Sequence, residues 1–207
     1  MSAISQAFLR RPSSASEVAA DVVRALTVVS VVVATVGWGA IEFAVFMLAL
    51  LGTLVPRALG ARGALDVATG VSCLVAAWSN VFHLYTRVIG WDKLVHGVLT
   101  GCLVALLVLI AQRIRFLPAL DGHRAAHAAS ATLVGLGLGS LWEMGEWAGH
   151  TFIDPGIVVG YVDTVGDLAY DGLGGLVAGL ALPFLLHRDG DDDRPVSAAV
   201  RESALSR

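Results

Sequence analysis

The sequence predicts an all-α fold: a polytopic transmembrane helical bundle of about six spans. Three observations carry that prediction. First, 56% of the 207 residues are hydrophobic and only 15% are charged, where a soluble domain carries about 25% charge. Second, the apolar residues come in long continuous runs, not in the narrow stripes of a soluble amphipathic helix. Third, short connections rich in Gly, Trp, Pro and charge separate those runs. In lipid every backbone N–H and C=O must be satisfied within the protein, which leaves helices as the elements for runs of this length. The lipid bilayer is therefore the first partner. The net charge of −3 offers no basic surface, so nucleic acid is not one. Cys73 and Cys102 both fall in apolar runs and read as packed thiols, not as a disulfide or a thiolate site.

Residues 1–20, rich in Ser and Ala with Arg10, Arg11 and Pro12, read as a mobile cytoplasmic tail. A cleavable signal peptide does not fit, because the apolar run starts late and is too long for such a segment. The expected spans are 22–38, 40–59, 67–88, 93–111, 128–149 and 164–187, within a transmembrane domain of 21–187. Arg24 stands near the start of the first span, placed to snorkel. Gly37, Trp38 and Gly39 form a tight turn. Arg57, Arg62 and Asp66 mark the next loop, and Gly90, Trp91 and Asp92 the one after the third span. His123 and His127 read as surface residues of the loop before the fifth span. Residues 188–207, which open on RDGDDDRP, read as a disordered charged cytoplasmic tail. Orientation follows from the basic residues. Of 14 Lys and Arg, only Arg87 and Lys93 fall on the segments placed outside, which leaves twelve inside and predicts that both termini are cytoplasmic.

On that topology the in-membrane ionisable groups in the middle of the chain gather in the outer leaflet. Glu42 opens the second span, Asn80 and His83 close the third, and Asp92 and His96 open the fourth. Glu143, Glu146 and His150 end the fifth span, and Asp163, Asp167 and Asp171 begin the sixth. Glu143 and Glu146 are spaced i, i+3 with His150 four further on, and the three aspartates are spaced i, i+4, i+8, so each set shares one helix face. A charged residue at the centre of a span costs about 2.5–3.5 kcal/mol on insertion scales. Glu143, Glu146, Asp167 and Asp171 are thus expected to face the bundle interior, where they are protonated, paired or metal-bound. Simpler roles stand beside this reading. Asp163 suits a helix cap, Asp92 and His96 suit one hydrogen-bonded pair, Glu42 lies near water, and the five tryptophans suit an interfacial belt. Gly135 and Gly139, and Gly175 and Gly179, have the small-xxx-small spacing of closely packed membrane helices. An antiparallel pairing of the last two spans would bring the glutamate face and the aspartate stripe together.

With DKLVHG at 92–97, WEMGEW at 142–147 and YVDTVGDLAYDGLG at 161–174, the chain resembles a bacterial family of predicted inner-membrane proteins typified by YjdF. The likeness covers about the C-terminal two thirds and implies a multi-pass protein of the bacterial cytoplasmic (inner) membrane, without implying an activity. Such proteins often carry a fuller His/Tyr element ahead of the Asp-x-x-x-His motif, where this chain has Asn80, His83 and Tyr85. The Asp92-Lys93-x-x-His96 element before a later acidic motif is also similar to VanZ-type membrane proteins, which implies cell-envelope or lipid-linked substrates.

Three functional readings follow. One is a divalent-cation site built from Glu143, Glu146, Asp167, Asp171, Asp92 and His96, with His150, Asp163, His83 and Glu42 as supporting polar groups. Mixed oxygen and imidazole ligation suits zinc, manganese or iron, and magnesium if the histidines stay out. The second is a metal-assisted hydrolase or transferase acting on a lipid-linked envelope substrate, the metal activating water and a free carboxylate acting as base. The third is a purely structural polar cluster. No nucleophile elbow, phosphate loop or HExxH motif is present.

Overall fold

The computed structural model describes residues 8–117 and 123–186; the expected C-terminal tail at 188–207 lies outside them. Among the described residues there are helices and no strands. Helix α1 spans Ala15–Trp38, α2 Ala40–Ala58, α3 Gly63–Val81, α4 Leu84–Arg87, α5 Trp91–Arg113, α6 Arg124–Phe152 and α7 Tyr161–Leu186. Five of them (α1, α2, α3, α5 and α7) are long and apolar enough to cross a membrane. Helix α6 has 29 residues, roughly 43 Å of rise. Its glycines, alanines and serines, with Glu143, Glu146 and His150, dilute its apolarity. Valines and leucines on the outside of the bundle, such as Val32, Val36, Leu48, Leu51 and Val177, are exposed, as a lipid-facing surface requires.

The helix ends follow from local chemistry. Helix α1 begins inside the stretch read as a tail, because the Ser14 hydroxyl accepts from the Glu17 amide at 3.3 Å and caps it. Gly39, with φ 102°, makes the tight turn into α2, a conformation that a Cβ disfavours. The third span departs from expectation. Helix α3 stops at Val81, and His83 adopts the left-handed region at φ 54°. The chain then makes the single turn of α4 and swings through Gly90, φ 76°, into α5. A run of apolar residues continued to 88, but Asn80 and His83 interrupt it where the helix reaches the polar boundary.

The core has two lobes. In the first, α1, α2 and α3 close around Phe46, whose ring meets Trp78 edge-on at 5.0 Å, while the Trp78 indole donates to Ser30 Oγ at 3.1 Å. In the second, α7 lies between α5 and α6. Leu65, Ala105, Leu106 and Leu182 join α3, α5 and α7, and Val104, Ala131 and Ala178 join α5, α6 and α7. The Gly-rich faces of α7 allow this. A Cβ at Gly179 would meet the Ala128 Cα at 2.7 Å, and one at Gly135 would meet the Asp171 carbonyl oxygen at 2.6 Å. Close backbone approach of α6 and α7 is therefore built in, as the paired small-residue spacings predicted. On the other side of α7, Gly174 lies against the Gly97 carbonyl. The Gly97-x-x-x-Gly101 spacing in α5 was an available signal for this second contact.

Arg24 corrects an expectation. It does not reach out to the membrane surface but is buried, its guanidinium held by both carboxylate oxygens of Asp66, by Asp21 Oδ1 at 2.5 Å and by the Thr53 carbonyl at 3.0 Å. Snorkelling is the default for an arginine near a span end only when no carboxylate faces it across the bundle. Folding places Asp66 of α3 and Arg57 of α2 at the same end, and both are buried. The charged groups of the spans thus do not all gather at one end.

Candidate functional site

The site lies at the other end, where α5 and α7 begin and α6 finishes. Asp92, His96 and Thr100 are spaced by four residues and share one face of α5. Asp163, Asp167 and Asp171 do the same on α7. The glycine contacts press the two helices together, so the stripes interlock. The His96 ring stands between two carboxylates: Nδ1 lies 3.2 Å from Asp171 Oδ2, and Nε2 lies 3.8 Å from Asp92 Oδ1. The Thr100 hydroxyl donates to Asp171 Oδ1 at 2.5 Å. Asp171 is fully buried, and both of its oxygens are engaged. With Asp171 as a carboxylate, the hydrogen between it and the ring belongs to Nδ1. The other ring nitrogen, Nε2, is turned towards Asp92.

Asp92, His96 and Asp167 each offer one ligand atom, and these atoms lie within 4.8 Å of one another. Asp167 is 2% exposed, yet its Oδ1 has no hydrogen-bond partner among the described residues. The Lys93 ammonium stands 3.8 Å from Asp167 Oδ1 and 3.8 Å from Asp163 Oδ1, beyond hydrogen-bond distance from either. Asp163 sits in the first turn of α7, not at its cap, where the helix dipole still favours a negative charge.

The α6 glutamates form the third wall. Glu143 Oε2 accepts from the Thr164 hydroxyl at 2.6 Å, while its Oε1 is buried without a hydrogen-bond partner among the described residues. Glu146 accepts from the Trp142 indole at 3.0 Å. Glu146 lies within electrostatic reach of Glu143, His96 and Asp92, and Asp92 within reach of Glu143 and Asp163. The glutamates therefore border the Asp92–His96–Asp167 trio without joining it. The Asp171 carboxylate occupies the space a side chain at Gly139 would need, so that glycine is part of the site's construction.

Three supporting residues play other parts. The His150 ring donates from Nδ1 to the Ile157 carbonyl at 2.7 Å and fastens the loop between α6 and α7. His83 is exposed at its turn. Glu42 accepts from Asn80 Nδ2 at 3.3 Å, tying α2 to α3. Sequence reasoning missed Thr100 and Thr164, the hydroxyls that orient Asp171 and Glu143. Thr100 was visible as the residue one turn beyond His96, but a threonine in a span more often bonds its own helix backbone, as Thr69 does to the Leu65 carbonyl at 2.8 Å.

The arrangement has the parts of a cation site: three ligand atoms from two helices, a carboxylate behind the histidine, and surplus acid around them. Neither the curated proteins nor the solved structures contain a match to this chain. The likeness to VanZ-type proteins finds no support. A family model described as "Predicted membrane protein (DUF2238)", the family of the YjdF resemblance, matches residues 65–188.

Proposed function

The chain belongs to the DUF2238 family of predicted membrane proteins, and we propose that it holds a divalent cation at Asp92, His96 and Asp167. The observation that carries this reading is Asp167, whose buried Oδ1 lacks a hydrogen bond among the described residues and whose carboxylate supplies one of three ligand atoms within 4.8 Å of one another. An ionised carboxylate buried without partners is costly, and an ion supplies the missing partner. Ligands about 2.0–2.2 Å from a tetrahedral zinc stand roughly 3.3–3.6 Å apart, so a pair at the 4.8 Å limit closes on an ion through side-chain shifts of about an ångström. Asp171 behind His96 Nδ1 supplies the carboxylate–histidine–metal relay that fixes the ring and raises its basicity. One imidazole with two carboxylates suits zinc, manganese or iron.

Three protein ligands leave a coordination position open, as in catalytic zinc sites. That favours, as a second reading, a metal-assisted hydrolase or transferase acting on a lipid-linked envelope substrate. Its supporting observation is Glu143, whose buried Oε1 is free of hydrogen bonds and could take a proton from metal-bound water. In either case the protein sits in the bacterial inner membrane with both termini in the cytoplasm and this site in the outer half. Reporter fusions after Leu186 and within the loop 153–160 are expected to report opposite sides.

The test of the cation reading is metal analysis of the full chain purified in detergent, followed by titration with zinc and manganese. One ion per chain in the wild type, lost in His96→Ala and in Asp167→Asn, is the expected result. A wild type that neither retains nor takes up a divalent ion, with Asp167→Asn melting no lower, would replace the metal with a proton-sharing carboxyl cluster.

A further inference from the structure

Lys93 is the one lysine in the chain; the other 13 of the 14 basic residues are arginines. It stands at the mouth of the acidic site. Its ammonium sits 3.8 Å from Asp163 Oδ1 and 3.8 Å from Asp167 Oδ1. A lysine committed to a structural ion pair would approach one carboxylate to hydrogen-bond distance, about 2.7–2.9 Å. This one is shared between two and bonded to neither. Its stem crosses α7 at Gly166, where a Cβ would come within 2.5 Å of Lys93 Cε, so a glycine keeps open the slot in which the chain lies. The side chain remains 31% exposed, which leaves a route to water.

We propose that Lys93 is a displaceable counter-ion: its ammonium balances the site when no metal is bound and swings towards water when a divalent cation enters, so that occupancy is an exchange of one cation for another. This rests on the cation reading above and adds what sets the site's affinity. An ammonium on a flexible four-carbon stem suits such a role, whereas a guanidinium would clamp a carboxylate in a two-bond fork. Asp167 is the shared partner, belonging to the Asp92–His96–Asp167 trio and also facing the ammonium. Two cations cannot both stand beside it without repulsion, and leaving costs the ammonium no hydrogen bond to either carboxylate.

Because Lys93 carries the only ε-amine, an amine-acylating reagent reads its exposure directly. The experiment uses the full chain in detergent at fixed pH, titrated with zinc or manganese chloride. Acylation at Lys93 is followed by mass spectrometry, with Lys93→Met and Lys93→Arg titrated alongside. The expected results are a several-fold rise in wild-type acylation on saturation and at least about tenfold tighter binding in Lys93→Met, equivalent to about 1.4 kcal/mol. Lys93→Arg, which keeps the charge, binds no tighter than wild type. Binding by Lys93→Met that is unchanged or weaker, or acylation that is unchanged or falls on metal addition, overturns the exchange while leaving the cation site standing. Failure of both wild type and Lys93→Met to bind overturns the cation reading and the exchange together. Binding by Lys93→Met alone overturns the exchange, because the wild-type ammonium then occupies the site and is not displaced.

Discussion

The two ends of the bundle both bury charge, and they do so in opposite ways. At one end two arginines meet two aspartates: Arg24 is held by Asp21 and Asp66, and Arg57 Nη1 lies 3.8 Å from Asp21. Charge is balanced, and each Asp66 oxygen accepts a hydrogen bond. At the other end Asp92, Asp163, Asp167, Asp171, Glu143 and Glu146 surround one lysine and one histidine, and two carboxylate oxygens have no hydrogen bond among the described residues. A charge-balanced network does its work by holding helices together, even though Arg57 Nη1 reaches Asp21 only at 3.8 Å. An unbalanced one leaves its surplus carboxylates to be protonated, shared with Lys93 or, in the cation reading, met by a bound ion. The family match, residues 65–188, contains all six of those acids; of the balanced end it contains Asp66 but not Asp21, Arg24 or Arg57.

The largest expected effect breaks the balanced end. Asp66→Asn leaves Arg24 buried without its main partner and is expected to cost about 3–5 kcal/mol, read as a large fall in melting temperature in detergent. Replacing both partners, Arg24→Met with Asp66→Leu, is expected to restore most of that loss, since apolar pairs of similar volume often substitute for buried ion pairs without cost. Metal-free Asp167→Asn, at the other end, is expected to melt at or above the wild-type temperature, because it removes a buried charge that has no hydrogen bond at one oxygen. If Asp167→Asn proves as damaging as Asp66→Asn without metal, the contrast between the ends fails.

Next in size is the response to cation. At a free concentration a hundredfold above the dissociation constant, a bound ion stabilises by about 2.7 kcal/mol. The wild type and Asp66→Asn should both show this shift in thermal melts, and Asp167→Asn should not. Thr100→Val sharpens the comparison further. It removes the hydroxyl that orients Asp171, one step behind His96, and an outer-shell loss of this kind is expected to weaken cation binding 10–100-fold on top of a loss of about 1–3 kcal/mol in metal-free stability from the buried oxygen left without its hydrogen bond. Titration against wild type checks it. The smallest effect is Thr164→Val, which takes the hydrogen bond from Glu143 and is expected to cost about 1 kcal/mol in the melt. A larger loss in cation affinity than in stability would bring Glu143 into the ligand set.

Much of this was legible in the chain. The long apolar runs make helices because lipid offers the backbone no other partner. The i, i+4 spacings of Asp92 with His96 and of Asp163, Asp167 and Asp171 fix which side chains share a face, because the helix repeat is set by the backbone alone. The small-residue spacings of Gly135 with Gly139 and Gly175 with Gly179 announced the contact of α6 with α7. What only the tertiary structure decided is which faces meet. Sequence patterns treated Arg24 as a residue that escapes to the surface, since nothing local says that Asp66, 42 residues away, will stand opposite. They placed Glu143 and Glu146 in one set with the aspartates and His96, whereas folding places His96 between Asp171 and Asp92 and brings the glutamates to Thr164 and Trp142. Helical periodicity is a property of neighbours in the chain. The approach of α5 to α7 at Gly97 and Gly174 is a property of distant backbones that touch only where no side chain intervenes, and that approach assembles the site.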